Sequence, residues 1–244
     1  MKGFIKLILQ KTFGFRNYLF FFSLYSINRV NKKKYEKEFL HFIGLIPEKG
    51  IVLDIGANIG ITAISIAKAK PKTEVHAYEP IEENFHTLKR VVKWFKLTNV
   101  KLNNSALGSS PGCLKMIMPL EGQVKMQGLS KVYTEGSKEK GVIYEVPVDI
   151  LDNIYASRTD ISAIKIDVEN HEFEVLSNGK QTLINNKPIV YCELWKNQKR
   201  LMVVDLMKSL DYNVLIFDEL KTSLSPVLDA ANCDDNNFFF IPNK

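Results

Sequence analysis

Three stretches of this chain hold residue types at spacings that could do chemistry together. The first is Asp54-Ile55-Gly56-Ala57-Asn58-Ile59-Gly60, entered from the apolar residues 51–53. The second is Glu79, 19 residues beyond Gly60 and at the end of the run 75–78. The third is Asp167-Val168-Glu169-Asn170-His171, entered from the largely apolar residues 161–166. Each run suits a buried parallel strand, so each acid sits where a strand ends. A glycine after such a strand lets a ligand lie against bare backbone. An acid at a neighbouring strand end can accept both ribose hydroxyls of a nucleoside.

Two ligand classes compete for the first pair. Nicotinamide dinucleotides want G-x-G-x-x-G, whereas Gly56 and Gly60 form G-x-x-x-G. Asp54 would also repel a pyrophosphate. A nucleoside ligand with an ammonium group and no phosphate meets neither objection, and S-adenosylmethionine is such a ligand. Asp54 then serves its methionine end, directly or through backbone and water. A βαβ turn without a ligand explains the glycines alone, but not glycines and paired acids together.

The third stretch fits the other half of such a reaction. Methyl transfer to a hydroxyl needs acceptor oxygen, methyl carbon and sulfur in line, and a base to take the acceptor's proton. Asp167, Glu169 and His171 are the candidates for that base. A purely structural reading has Asn170 cap the following helix while Glu172 and Glu174 complement its dipole, which leaves Asp167 unexplained. Asp167 and Glu193 could also share a divalent metal ion with a substrate, and spacing alone does not decide this.

The intervening pattern supplies the elements that would hold these residues. Strands are predicted near 51–55, 74–79, 100–106, 161–167 and 189–194, with two last runs at 213–217 and 238–241 closing the edge. Helices are predicted to about 68, over a face made by Phe85, Leu88, Val92 and Phe95, over 171–184, and around Val203 to Leu210, with Pro80 in the first turn of the second. Alternating strands and helices imply an open, mostly parallel sheet of seven strands with helices on both faces. Ligands in such α/β sheets bind beyond the carboxyl ends of the strands. Residues 109–149 break the alternation with five glycines among short β-prone pieces, which predicts an inserted hairpin or lid between strands three and four.

With 45% hydrophobic and 25% charged residues, the chain has ordinary globular composition and can bury one sizeable core. Cys113, Cys192 and Cys233 are too few and too scattered for a disulfide framework or a C-x-x-C metal site, which suits a reducing, cytoplasmic compartment. Charge is concentrated at one end. Residues 1–50 carry 10 Lys or Arg against 3 Asp or Glu, and the remainder carries 23 against 24. The same segment holds Phe4, Phe13, Phe15, Tyr18, Phe20, Phe21, Phe22 and Tyr25, and Tyr35, Phe39, Phe42, Ile43 and Ile46 recur at helical spacing before Pro47. Its densest apolar run, 18–27, is half the roughly 20 residues a membrane span needs. A helical extension over 1–46 is expected, preceding a catalytic domain over 47–244. Its aromatics would cover the catalytic domain, or residues 1–34 would touch a membrane surface peripherally, at its inner face.

Taken together, these motifs resemble the FkbM-type S-adenosylmethionine-dependent methyltransferases. The resemblance runs through residues 52–60, Ala77-Tyr78-Glu79-Pro80 with Glu83-Asn84-Phe85, Ser105-Ala106-Leu107-Gly108, Leu151-Asp152, residues 164–169 with Glu172, and Pro188-Ile189 with Glu193. It implies a Rossmann-like class I methyltransferase fold and O-methylation of a hydroxyl on a sugar, as in a surface polysaccharide, a glycolipid or a natural product. It also implies cofactor contacts at Asp54, Gly56, Asn58, Gly60 and Glu79, with Ser105 and Ala106 beside the adenine. Asn170 departs from the glycine usual after Asp-x-Glu, and Ile150 stands where threonine is frequent. Asn tolerates the left-handed region, so the turn survives this change.

Other acceptors fit less well. Amino methylation of bases would want Pro-Pro and an aromatic after the Asp or Asn of the fourth strand end, and cytosine C5 chemistry a Pro-Cys pair; neither is present. No basic stripe outside the N-terminal segment could track phosphates, so nucleic acid is not expected. The alternative from another class is a noncatalytic cofactor-binding or assembly protein on a methyltransferase fold.

Overall fold

The computed structural model describes residues 2–34 and 36–243. Tyr35 and the side chain of Phe4 therefore lie outside the described residues. The chain opens with α1 (Lys2–Phe13), α2 (Phe15–Asn31) and α3 (Lys37–Leu45), then runs β1 (Gly50–Ile55), α4 (Ile61–Ala69), β2 (Thr73–Tyr78), α5 (Glu82–Trp94) and β3 (Val100–Asn103). An inserted segment follows, with β4 (Ala106–Leu107), β5 (Gly112–Glu121), β6 (Val124–Lys125), β7 (Lys131–Val132) and β8 (Gly141–Asp149). The remainder is α6 (Leu151–Tyr155), β9 (Ile161–Ile166), α7 (Glu172–Ser177), α8 (Lys180–Asn186), β10 (Ile189–Glu193), α9 (Gln198–Ser209), β11 (Tyr212–Asp218), β12 (Ser223–Pro226) and β13 (Asn237–Pro242).

The main sheet has the order β12-β11-β13-β10-β9-β1-β2-β3. β3, β2, β1, β9 and β10 are parallel, and β13 runs against both β10 and β11. Strand residues alternate between two cores. Leu53, Ile55, Val190, Cys192, Phe238 and Phe240 pack under α6 to α9, whereas Val52, Tyr191 and Phe239 face α2 to α5. The two-residue period of a strand makes this division, and helices on both faces follow from it. Phe20, Ile27, Phe39 and Phe42 belong to the second core, so α2 and α3 share one apolar layer with β1 and β2.

Four boundaries differ from the sequence pattern. Among the described residues the sheet has eight strands rather than seven, because Asp218 Oδ1 accepts from Leu220 N (3.0 Å) and Lys221 N (3.1 Å), folding the polar β12 back onto β11. The predicted third strand, 100–106, breaks after Asn103, and Ala106–Leu107 pairs in parallel with β8 in a second sheet. The predicted helix over 171–184 is two helices. Asp152 accepts from Gln181 N (3.0 Å) and Thr182 N (2.8 Å) at the start of α8, and Leu151 fills the space where a Cβ at Gly179 would stand, 2.4 Å from its Cδ2. α5 begins at Glu82 with Ile81 as N-cap, so Pro80 lies outside its first turn. The insertion is a β5–β8 hairpin, Gly112 opposite Val148 through Pro119 opposite Gly141, widened by β6 and β7.

Candidate active site

The glycine turn is built by close approach. Gly56 has φ +81°, and a Cβ there would stand 1.9 Å from the Asp167 carbonyl oxygen, so only glycine lets the β1 and β9 ends touch. Gly56 N and Ala57 N both donate to Tyr78 O, which ties the turn to β2 as well. Asn58 takes φ +49° and aims its N–H at Glu79 Oε2, 2.8 Å away. From outside, Ser23 Oγ on α2 donates to Ile59 O at 2.8 Å.

Glu79, 4% exposed, also accepts from Ile81 N (2.9 Å) and Asn84 Nδ2 (3.3 Å). Burial pushes its carboxyl up to about 7, against these donors. An open cleft lies beyond it. Gly56, Asn58, Glu79, Ser105, Ala106, Asp167, Glu169 and His171 all line this one cleft. Residues from β5 to β7, including Met116, Gln127 and Val132, form its far wall. Asn58 Oδ1 and Asn84 Oδ1, on two lining residues, are buried without a hydrogen-bond partner among the described residues.

Asp54 and Gly60, expected to touch the cofactor, do not line the cleft. Asp54 is 0% exposed and accepts from Thr62 Oγ1 at 2.6 Å, with Lys165 Nζ 3.7 Å from its Oδ1. Burial holds its carboxyl above the usual range, and the Lys165 ammonium opposes that. Gly60, at φ +89°, turns into α4, and a Cβ would meet Leu88 Cδ1 at 2.7 Å. Both residues therefore shape the turn from behind.

The Asp167–His171 turn is strained. Glu169 (φ +53°) and Asn170 (φ +71°) are both left-handed, an uncommon state for non-glycine residues. Glu172 Oε1 holds them by accepting from Val168 N (3.1 Å) and Asn170 N (3.2 Å). This corrects the capping role expected for Asn170: His171 is the N-cap of α7, and Asn170 Oδ1 instead accepts from Asn197 Nδ2 at 2.7 Å. Burial, with Asp167, Glu193 and Glu172 nearby, pushes Glu169 up to about 8. Burial also holds His171 below the ordinary histidine value, with Glu174 Oε2 3.6 Å from its Nδ1.

A second cleft shares Asp167 and brings in Glu36, Lys165, Tyr191, Glu193 and Asn237. Burial and Asp167 push Glu193 up to about 7. No group of three or more His, Cys, Asp or Glu among the described residues is arranged to hold a metal ion. The sequence pattern includes Lys165 and Asn84 in the resemblance but gives neither a site role. A lysine in the otherwise apolar strand 161–166 was the visible signal for the first, and Asn84 carried none beyond its place beside Glu83.

Comparison with known proteins adds the following. The family model described as the methyltransferase FkbM domain matches residues 54–214. "Methyltransferase 1" of Beauveria bassiana (strain ARSEF 2860) is 24% identical over 191 residues, 66% of this chain and 75% of that protein. "Methyltransferase sdnD" of Sordaria araneosa is 28% identical over 152 residues, 60% of this chain and 56% of that protein. The crystal structure of methyltransferase FkbM from Methylobacillus flagellatus KT superposes with a TM-score of 0.54 at 18% identity, over 81% of this chain and 45% of that one. This chain thus spans less than half of that solved chain, and the likeness to it is one of fold.

Proposed function

Because this chain belongs to the FkbM methyltransferase family, we propose that it transfers a methyl group from S-adenosylmethionine to a hydroxyl oxygen of a sugar, in a polysaccharide, glycolipid or natural product. One observation carries this reading: the glycine turn, Glu79 and the Asp167–His171 turn, far apart in sequence, wall a single cleft. The donor, when bound, supplies an electrophilic methyl on a positively charged sulfur. Glu79 offers its remaining lone pairs to ribose hydroxyls. Ala106 and Leu107 give the adenine an apolar wall.

Asp167 sets a negative charge between the two clefts, where it favours a cationic neighbour. Glu169, titrating near 8, is matched to taking a proton from an acceptor hydroxyl at ordinary pH. His171, held neutral by burial, borders the same space as a further hydrogen-bonding group. Glu36, Glu193 and Asn237 in the adjoining cleft are hydroxyl-binding groups, which supports a polyhydroxylated acceptor. The test is methyl transfer from isotope-labelled donor to a panel of mono- and oligosaccharides. Glu169→Gln should lower kcat by about 10²-fold or more, the usual worth of a general base, while binding of S-adenosylhomocysteine persists. Cofactor binding with no transfer to any hydroxyl acceptor by wild type would favour a noncatalytic role on the same fold.

A further inference from the structure

We infer that the outer face of α1 and α2, with the end of α5, docks onto an anionic lipid surface. The face is apolar where a protein surface is usually polar. Ile5, Ile8, Phe13, Phe21, Tyr25 and Trp94 are each 47–62% exposed. Three of them adjoin through ring contacts: Phe13 meets Phe21 at 6.0 Å between ring centroids, and Phe20 bridges Phe21 (5.7 Å) and Trp94 (5.8 Å). Large exposed apolar patches mark interaction sites, whereas single exposed residues do not.

Charge selects the occupant. Residues 1–35 contain eight Lys or Arg and no Asp or Glu, while the chain beyond residue 50 is nearly neutral. Lys11, Arg29 and Lys93 are exposed on the same three helices as the apolar residues, Arg29 one turn beyond Tyr25, and Lys32, Lys33 and Lys34 follow α2 in the open. Aromatics with lysines and arginines around them suit the boundary between acyl chains and anionic headgroups. No helix among the described residues is long and apolar enough to cross a membrane, so the contact is a surface one.

The face is fastened to both walls of the cleft. Ser23 on α2 holds Ile59 of the glycine turn, and Gln10 on α1 exchanges hydrogen bonds with the Lys125 backbone (3.1 and 3.2 Å), next to the cleft-lining Gln127. Docking through this face would thus be connected to both walls of the cleft.

Vesicle co-sedimentation of the full chain tests this without relying on catalysis. Phosphatidylcholine vesicles with about 30% phosphatidylglycerol should bind at least about tenfold more tightly than phosphatidylcholine alone, and 0.5 M salt should remove that difference. Phe21→Asp with Trp94→Asp should weaken binding at least about tenfold. So should Lys32→Glu with Lys33→Glu and Lys34→Glu, a variant confined to the exposed residues that follow α2. Both variants should keep wild-type affinity for S-adenosylhomocysteine, which shows that they fold. The inference is overturned if wild type ignores anionic vesicles, or if both folded variants bind them like wild type. It is overturned equally if vesicles are ignored and sedimentation reveals a dimer that Phe21→Asp dissociates, since the occupant is then a second copy.

Discussion

Replacing Lys165 by methionine should cost more stability than any surface change, because it strands a charge. Lys165 and Asp54 have side chains 6% and 0% exposed and lie 3.7 Å apart, on strand positions that pair directly in the β1–β9 register. At an effective dielectric constant of about 20, that separation corresponds to about 4.5 kcal/mol, and breaking a buried pair from one side typically costs about 3–5 kcal/mol. Thr62 remains as a hydrogen-bond donor to Asp54 Oδ2, but Oδ1 has no hydrogen bond among the described residues. The loss is bounded by protonation. Without the ammonium, which now lowers the Asp54 pKa against burial, the carboxyl rises further. Its folded pKa then lies well above the unfolded value, so the folded state keeps a proton the unfolded state has released, and stability falls as pH rises. Thermal unfolding of Lys165→Met should therefore show a deficit of about 4 kcal/mol at pH 8 that shrinks towards pH 5. At this chain length that is roughly 8–16 °C in Tm. Adding Asp54→Asn should recover at least half, because the fully buried stranded charge is gone; the rest includes the 3.3 Å ion pair with Asp167 and the 3.2 Å bond to Gly56 O that Lys165 also makes. A deficit below about 1 kcal/mol, or one independent of pH, would refute the assignment of Asp54 as a charge held by Lys165.

Other perturbations read the remaining parts of the site. Gly56→Ala should lower affinity for S-adenosylhomocysteine at least tenfold by calorimetry, since its Cβ would sit 1.9 Å from the Asp167 carbonyl oxygen at φ +81° and must part the two strand ends; unchanged affinity would mean the turn does not touch the cofactor. Ser23→Ala, removing the 2.8 Å bond to Ile59 O, should cost about 1 kcal/mol in denaturant unfolding and weaken cofactor binding several-fold, whereas a purely local effect would leave binding intact. Glu169, with its folded pKa raised to about 8, contributes stability that is complete below the ordinary glutamate value and lost as pH rises through 8. Denaturant midpoints of unliganded wild type should thus decline from pH 5 to pH 8 more steeply than those of Glu169→Gln; parallel profiles would return Glu169 to an ordinary pKa.

Much of this arrangement was legible from residue types alone. Glycines bracketing a turn after 51–55 and acids at three strand ends carried the sheet direction and the rim on which the cleft lies. What pattern could not convey were contacts made across the fold. Asp54 reads as a ligand group because it ends an apolar strand, yet Lys165 on the neighbouring strand and Thr62 on α4 hold it inside the protein. The helix over 171–184 looked continuous because its apolar period continues, and the break comes from Asp152 and Leu151, some thirty residues upstream. β12 has no apolar run at all, so only the turn at Asp218 and pairing with β11 make it a strand. Aromatic content in residues 1–30 gave no direction: Phe20 is buried while Phe21 beside it is 56% exposed.

The account turns on whether this cleft takes a nucleoside through Glu79. Calorimetric titration with S-adenosylhomocysteine, comparing wild type with Glu79→Ala, addresses that directly. Saturable one-site binding by wild type, weakened at least about tenfold when a buried carboxylate that hydrogen-bonds the ligand is removed, is the predicted result. Folded wild-type protein that binds no S-adenosylhomocysteine, or a folded Glu79→Ala variant that binds it equally well, would contradict the assignment of the cleft.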